Sequence, residues 1–246
     1  MKLAMIGFGA AAIGLLEKIK HSDIEIHVFE KSKDIYSSSI SGIRADGKLF
    51  VSKGMGGDID IDIDIQKKLV DFYINQIDNR TVETGKSFYN PKFYEKFYSK
   101  GFDPVLSDFY HIGTDQLKGV LYNIYEDFNN HKNIHFHFNK KITNIDVSED
   151  EKIIVNEEIF DKVIVGVGRS GHKLVDKISK EHKGLILDNS KMDLGIRYEI
   201  PNHVVAELNK EMYEFKVRYK SVTGYTVRTF CNNPSGYVVR ENYGDF

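Results

Sequence analysis

Lys2-Leu-Ala-Met-Ile6, Gly7-Phe-Gly9-Ala-Ala-Ala12, Ile13-Gly-Leu-Leu-Glu-Lys-Ile-Lys20 and Ile24-Glu-Ile-His-Val-Phe29-Glu30 are the four stretches that decide the fold. The first reads as a short buried strand and the second as a glycine turn. The third reads as a helix, and the fourth as another strand that ends on an acid. Strand, glycine turn, helix, strand and acid, in that order, is the layout of a dinucleotide-binding βαβ unit.

Each residue type has a physical task. Gly7 allows a tight turn off the strand. Gly9 lacks a side chain, so a pyrophosphate can approach the backbone. Ala12 stands where a third glycine is usual and is still small enough for close packing of helix on sheet. The helix N-terminus offers N–H groups and the positive end of its dipole to phosphates. Glu30 stands where a carboxylate accepts hydrogen bonds from ribose hydroxyls. An acid there repels a 2′-phosphate, so FAD or NAD is favoured over NADP. A secretory signal peptide would also start with Lys2 and an apolar, alanine-rich run. That reading fails because the run continues into a patterned strand, because Glu30 falls where the fingerprint needs it, and because Cys231 is the one cysteine.

The 246 residues suffice for one large or two small domains. A hydrophobic content of 41% and a charged content of 28% are those of an ordinary globular chain. A net charge of -2 gives no basic field for nucleic acid or anionic lipid. No apolar run beyond the N-terminus approaches the roughly 20 residues of a membrane span, and a reducing cytoplasm is the expected compartment. Phe and Tyr, 16 and 14 of them with no Trp, are expected to supply the core.

Further along, residues 31–39 read as loop. Ser41 to Leu49 and Gly54-Met-Gly-Gly57 read either as a backbone wrap for a bulky cofactor or as surface loop. Asp58 to Ile65 alternates Asp with Ile. It fails as a calcium loop because Ile63 takes the place of the required glycine, and it is expected as an edge strand or as a loop with a helix cap at Asp64. Helices are expected over Gln66–Ile77 and Asp115–Asn130, the second capped by Thr114 with Leu117, Val120, Leu121, Ile124 and Phe128 as its buried stripe. The aromatic-rich stretch Tyr89–Tyr110 reads as a short helix and a loop over something apolar. In the strand Asn133–Phe138, His135 and His137 share a face, but no third ligand is in view and no metal is expected. Ile142–Val147 and Lys152–Phe160 read as a small antiparallel meander. Lys162–Gly168 reads as a second buried apolar strand that ends in glycines and opens a helix at Lys173. Beyond Gly184, short β runs, the first over Met192–Glu199, and a helix after Pro201 suggest a mostly antiparallel sheet.

Taken together, several stretches resemble a family. They are Gly7–Ala12 with Glu30, Ser41–Leu49, His111-Ile-Gly-Thr-Asp115, Val165-Gly-Val-Gly-Arg-Ser-Gly171, Asp193-Leu-Gly-Ile-Arg-Tyr-Glu199 and Val227-Arg-Thr-Phe-Cys231. They are similar, in order, to those of an uncharacterised FAD-dependent dehydrogenase family of the glutathione-reductase-like flavoproteins. The resemblance implies a Rossmann-like FAD/NAD(P)-binding α/β fold over residues 1–183, with an inserted segment at 50–110 and a small β-meander. An incomplete, cap-like α+β domain is then expected over 184–246. It implies that Gly7, Phe8, Gly9, Ala10, Ala11 and Ala12 line the pyrophosphate, with Glu30 and Lys31 at the ribose. Ile142 would lie near the adenine, Gly166, Gly168 and Arg169 would flank the cofactor, and Asp46, Gly47 and Lys48 would lie near the flavin. Lys48, Arg197 and Arg228 are the candidate catalytic or substrate-binding cations.

FAD is the implied cofactor, with NAD as the alternative. A small organic substrate and NAD(P)H as electron donor are the implied partners. Two departures stand out. Cys231-Asn-Asn-Pro-Ser-Gly236 has Asn233 where the family has a second cysteine. The family also continues for a long segment past the point where this chain stops, Gly244-Asp-Phe246. A shortened form that holds only the ADP half of FAD, a non-catalytic dinucleotide module, and half of a split enzyme that needs a partner chain or oligomer therefore stand beside the complete oxidoreductase.

Overall fold

The computed structural model describes residues 1–36, 47–55, 60–78, 82–168, 171–182 and 194–236. In chain order the elements begin with β1 (Lys2–Ile6), α1 (Ala10–Ile19), β2 (Glu25–Phe29), β3 (Lys48–Val51) and α2 (Ile63–Ile74). Then come β4 (Glu83–Ser87), α3 (Pro91–Tyr98), β5 (Asp103–Pro104), β6 (Ser107–His111), α4 (Thr114–Asn129) and β7 (Ile134–His137). They continue with β8 (Ile145–Val147), β9 (Ile153–Val155), β10 (Glu158–Phe160), β11 (Lys162–Val165) and α5 (His172–Glu181), and close with α6 (Ala206–Glu211), β12 (Val217–Lys220) and β13 (Thr226–Arg228). The architecture is mixed α/β, with one parallel sheet and separate antiparallel ones. The chain divides into two units, residues 1–46, 76–78 and 114–194, and residues 47–75, 79–113 and 195–246. The segment 50–110, expected as an insertion into the first domain, thus shares its unit with the C-terminal segment, because β5 pairs with β12.

The first unit is built on a parallel sheet of order β11-β1-β2-β7. β1 and β2 are central, and their near-continuous apolar runs are buried, as strands covered on both faces must be. On one face Ala4, Ile6 and Phe29 pack with Ile142, Ile145, Val155, Phe160 and Leu174. α1 buries Ala12, Ile13 and Leu16. α4 buries the whole expected stripe of Leu117, Val120, Leu121, Ile124 and Phe128. β11 is expected to be buried but is an edge strand here, with Ile164 and Val165 each more than a third exposed. Asp161 pins it to β1, since its carboxylate accepts from the Lys2 N–H at 2.7 Å and its own N–H donates to the Lys2 carbonyl at 2.8 Å. The Lys152 ammonium and the Lys2 amide hold that carboxyl below its ordinary range. The meander β8-β9-β10 is antiparallel, as expected. Its second turn is the two-residue loop Asn156-Glu157, with φ of 48° and 70° at the two positions. Positive φ at both central residues is the signature of the hairpin turn whose twist matches its strands.

The second unit holds two small antiparallel sheets, β3-β6-β4 and β13-β12-β5. Asp62 caps α2 by accepting from the Asp64 N–H at 2.7 Å, so among the described residues Ile63–Ile65 form the first helical turn rather than an edge strand. Asn90 caps α3 in the same way, with Pro91 in the first turn. Phe88, Met212 and Val217 form the small core, lined by Phe93, Phe97, Phe102 and Phe215. β4 has no apolar side chain. Its Gly85 lies under the ring of Phe109 on β6, where an added Cβ would come within 2.4 Å of the ring. The expected strand over 192–199 is absent among its described residues. The expected helix from Asn202 is broken into a 3-10 turn, Asn202–Val204, and α6. No helix among the described residues is long and apolar enough to cross a membrane.

Candidate dinucleotide site at the carboxyl end of the parallel sheet

At the end of β1 the chain turns at Gly7, whose φ is 92°. Its N–H donates to the Phe29 carbonyl at 2.8 Å, and the Gly166 N–H donates to the Ile6 carbonyl at 2.8 Å. A Cβ on Gly7 would lie 2.7 Å from the Gly166 oxygen. Both the conformation and the crowding therefore require glycine there. The carboxyl ends of β1, β2 and β11 are drawn together at this point.

Gly9 is the N-cap of α1. Among the described residues no side chain caps this helix, and its first turn has no acid. The first-turn amides of a helix lack intrahelical partners. Ala10 and Ala11 are exposed, whereas Ala12 is buried against the sheet. The helix thus presents an open, uncharged face of small side chains at its positive end.

Glu30 is buried at 7% exposure. One carboxylate oxygen accepts from the Phe8 N–H at 3.0 Å and the other from the Ser32 N–H at 2.9 Å. Both bonds come from the main chain, so the acid is aimed at the glycine turn by backbone rather than by a cation. Each oxygen keeps acceptor capacity for a further donor, since an ionised carboxylate has about four lone-pair sites. These residues fit the adenosine diphosphate half of a dinucleotide, since a helix end that can accept an anion and an oriented acid that can accept from a sugar meet in one turn.

The other expected site residues fall differently. The Phe8 side chain is core, with its ring edge-on to Phe136 at 4.9 Å and to Phe128 at 6.5 Å. Its contribution to the site is the N–H that holds Glu30. Ile142 is also core, packed with Phe29 and Phe160. Lys31 is exposed beside Glu30. Gly166 and Gly168 follow β11 next to the Gly7 turn, Gly168 with a φ of 61°. Asp46 and Arg169 lie outside the described residues.

Gly47, Lys48, Arg197 and Arg228 belong to the second unit. Gly47 has a φ of 69°, and its carbonyl accepts from the Ile112 N–H at 3.0 Å. Lys48, expected as an open cation, is instead buried. Its ammonium donates to Glu214 at 2.8 Å, to the Asn232 carbonyl at 2.7 Å and to the Asn233 side-chain oxygen at 3.1 Å. An ammonium has three N–H groups, and these acceptors take all of them. Arg197 and Arg228 are exposed, the latter on β13 opposite Arg218. Cys231 is exposed as well.

Glu214 escapes a reading of the sequence altogether. It is fully buried and accepts from Lys48, from Lys216 at 2.7 Å and from the Asn232 N–H at 3.1 Å. The available signal is an acid set between Tyr213 and Phe215 in an aromatic-rich stretch.

No protein-family model matches the chain, and no curated protein matches it. Several solved structures do. PqsL from P. aeruginosa, in complex with 2-aminobenzoylacetate, aligns with a TM-score of 0.43 at 11% identity, over 93% of this chain and 59% of its own. An oxidoreductase from Methanosarcina mazei aligns with a TM-score of 0.36 at 16% identity, over 74% and 63% respectively. NikD, described as an unusual amino acid oxidase essential for nikkomycin biosynthesis, aligns with a TM-score of 0.39 at 7% identity, over 72% and 53%. The chain spans less than two thirds of the length of each of these proteins.

Proposed function

We propose that the first unit is a Rossmann-like domain that binds FAD, and that the chain is a flavin-dependent oxidoreductase acting on a small organic substrate. The observation that carries the reading is Glu30. A buried carboxylate held by two main-chain N–H groups, one of them from the glycine turn, joins the sugar-binding acid and the phosphate-binding helix end into one rigid piece. Preorganised groups of this kind bind without the cost of ordering them. The α1 amides would hold the pyrophosphate, and Glu30 would accept from the ribose hydroxyls. Exposed Ala10 and Ala11 leave room for the diphosphate. When bound, the flavin supplies the electron transfer, while the protein supplies orientation and electrostatics. The same cradle accepts NAD, which is the alternative ligand, and NAD(P)H is the proposed electron donor. The choice of FAD rests on the resemblance of the later stretches to the glutathione-reductase-like flavoproteins.

A spectrum of the purified chain tests this directly. Flavin absorbance that bleaches on adding NADH or NADPH, and that is lost in Glu30→Ala, is the expected result. A colourless chain that binds ADP or NAD instead indicates a dinucleotide module without redox chemistry. One observation favours a second reading, in which a partner chain completes the enzyme. In the second unit Ile196, Tyr198, Val222 and Phe230 are 92%, 80%, 99% and 74% exposed. Large apolar side chains this exposed become an interaction surface where they lie together in one patch. Flavin binding that appears only on co-expression with a partner supports that reading.

A further inference from the structure

β2 and β7 run parallel in register, with His27 opposite His135 and Phe29 opposite His137. Side chains alternate across a strand, so Glu25, His27, His135 and His137 share one face at the edge of the sheet. A Glu25 oxygen lies 2.9 Å from His27 Nε2. The rings of His27 and His135 are 4.9 Å apart. One donor atom from each of Glu25, His27 and His135 falls within 4.8 Å of the other two.

We propose that Glu25, His27 and His135 form a binding site for a divalent cation of the zinc class, separate from the dinucleotide cradle. Two imidazoles and a carboxylate are a donor set that zinc takes with water in its fourth position. Bonds of about 2.0–2.1 Å in tetrahedral geometry put donors roughly 3.3–3.5 Å apart. The Glu25–His27 pair needs to widen by only a few tenths of an ångström, with the ion replacing the proton the two now share. His135 closes the remaining gap from the neighbouring strand.

The surroundings fit a ligand set. His27 Nδ1 lies 2.9 Å from His137 Nε2, in nearly coplanar rings. That contact orients the imidazole and leaves Nε2 for the ion, with His137 in the outer-shell place that a carboxylate, carbonyl or water usually holds beside a metal-bound histidine. Phe160 stands edge-on to His27 at 5.4 Å and dries its inner side. Glu25 and His135 are exposed, so an ion reaches the site from solvent. Lys2 lies opposite Glu25 on β1, but its ammonium turns to Glu158 at 3.4 Å and sits over the Phe160 ring at 4.7 Å. The paired strands hold the two backbones, so little order is lost on binding.

The test is titration of the purified full chain with zinc chloride by calorimetry, with cobalt(II) as a spectroscopic probe. One site per chain, a rise in melting temperature with zinc, and the visible absorption of four-coordinate cobalt are expected. His137→Ala should weaken zinc binding roughly tenfold to a hundredfold, as loss of an outer-shell partner does. His135→Ala and Glu25→Gln, both at exposed positions, should weaken it more. The nearby pair His21 and His131, with rings 5.0 Å apart, supplies the control. His131→Ala should leave affinity unchanged. The proposal is overturned if the intact chain does not bind zinc, if His135→Ala and Glu25→Gln bind as tightly as the parent, or if His131→Ala loses as much affinity as His135→Ala. None of these outcomes depends on whether a dinucleotide binds at Gly7.

Discussion

Two buried carboxylates, one in each unit, are held in opposite ways. Glu214 is fully buried and neutralised by Lys48 and Lys216. Glu30 is nearly as buried, yet the structure satisfies it with two main-chain N–H groups. A buried charge flanked by cations holds its own surroundings together. A buried charge aimed by amides, at the open end of an uncapped helix, has acceptor capacity left for something outside the protein. The contrast separates a structural acid from the proposed binding acid by the kind of partner each has rather than by depth.

The largest expected effect tests the structural side. Glu214→Ala takes the counter-charge from the buried Lys48 and the partly buried Lys216 and should cost about 3–5 kcal/mol of unfolding free energy, measured by urea denaturation. If it costs less than Glu30→Gln does, the contrast fails. Glu30→Gln should act mainly on the ligand. Hydrogen bonds to charged groups contribute about 1.5–3 kcal/mol, so affinity for ADP by calorimetry should fall roughly tenfold to a hundredfold. Gly7→Ala sharpens the same comparison from the backbone side. Its positive φ and the 2.7 Å approach to the Gly166 oxygen should cost about 1–3 kcal/mol of stability and misplace the Phe8 amide. The smallest effect belongs to the second unit. Asn90→Ala removes the α3 cap and should lower stability by about 1 kcal/mol, with ADP affinity unchanged.

The first unit was far more legible in sequence than the second. β1, α1 and β2 declare themselves because apolar runs, a glycine turn and an acid recur at fixed spacing. The α4 stripe reads correctly at all five buried positions because helical periodicity is local. β3, β4 and β6 do not declare themselves. β4, Glu-Thr-Gly-Lys-Ser, has no apolar residue and owes its place to pairing with β6. The Asp/Ile alternation at 58–65 leaves an edge strand and a helix cap both open, and the structure takes the second, with the cap at Asp62 rather than Asp64. Within the candidate site, Glu30 is legible from its spacing, but its two amide partners are not. Lys48 misleads because its partner Glu214 lies 166 residues away. The same distance problem hides Glu25 and His27 from His135, since only the register of two strands brings them together.

The pairing of β1 with β11 has a kinetic consequence. The bond between Lys2 and Asp161 joins residues 159 positions apart, and contacts of such separation form slowly. β2 is at hand almost at once, but at roughly 5–20 residues per second β1 waits on the order of ten seconds or more for its other neighbour, β11. The carbonyl wall at Gly166 arrives later still, so the glycine turn at Gly7 acquires its final shape only after β11 has been made, long after β1 and β2. Until then β1 is paired with β2 on one side only, and its other edge stays open for the wrong partner to take.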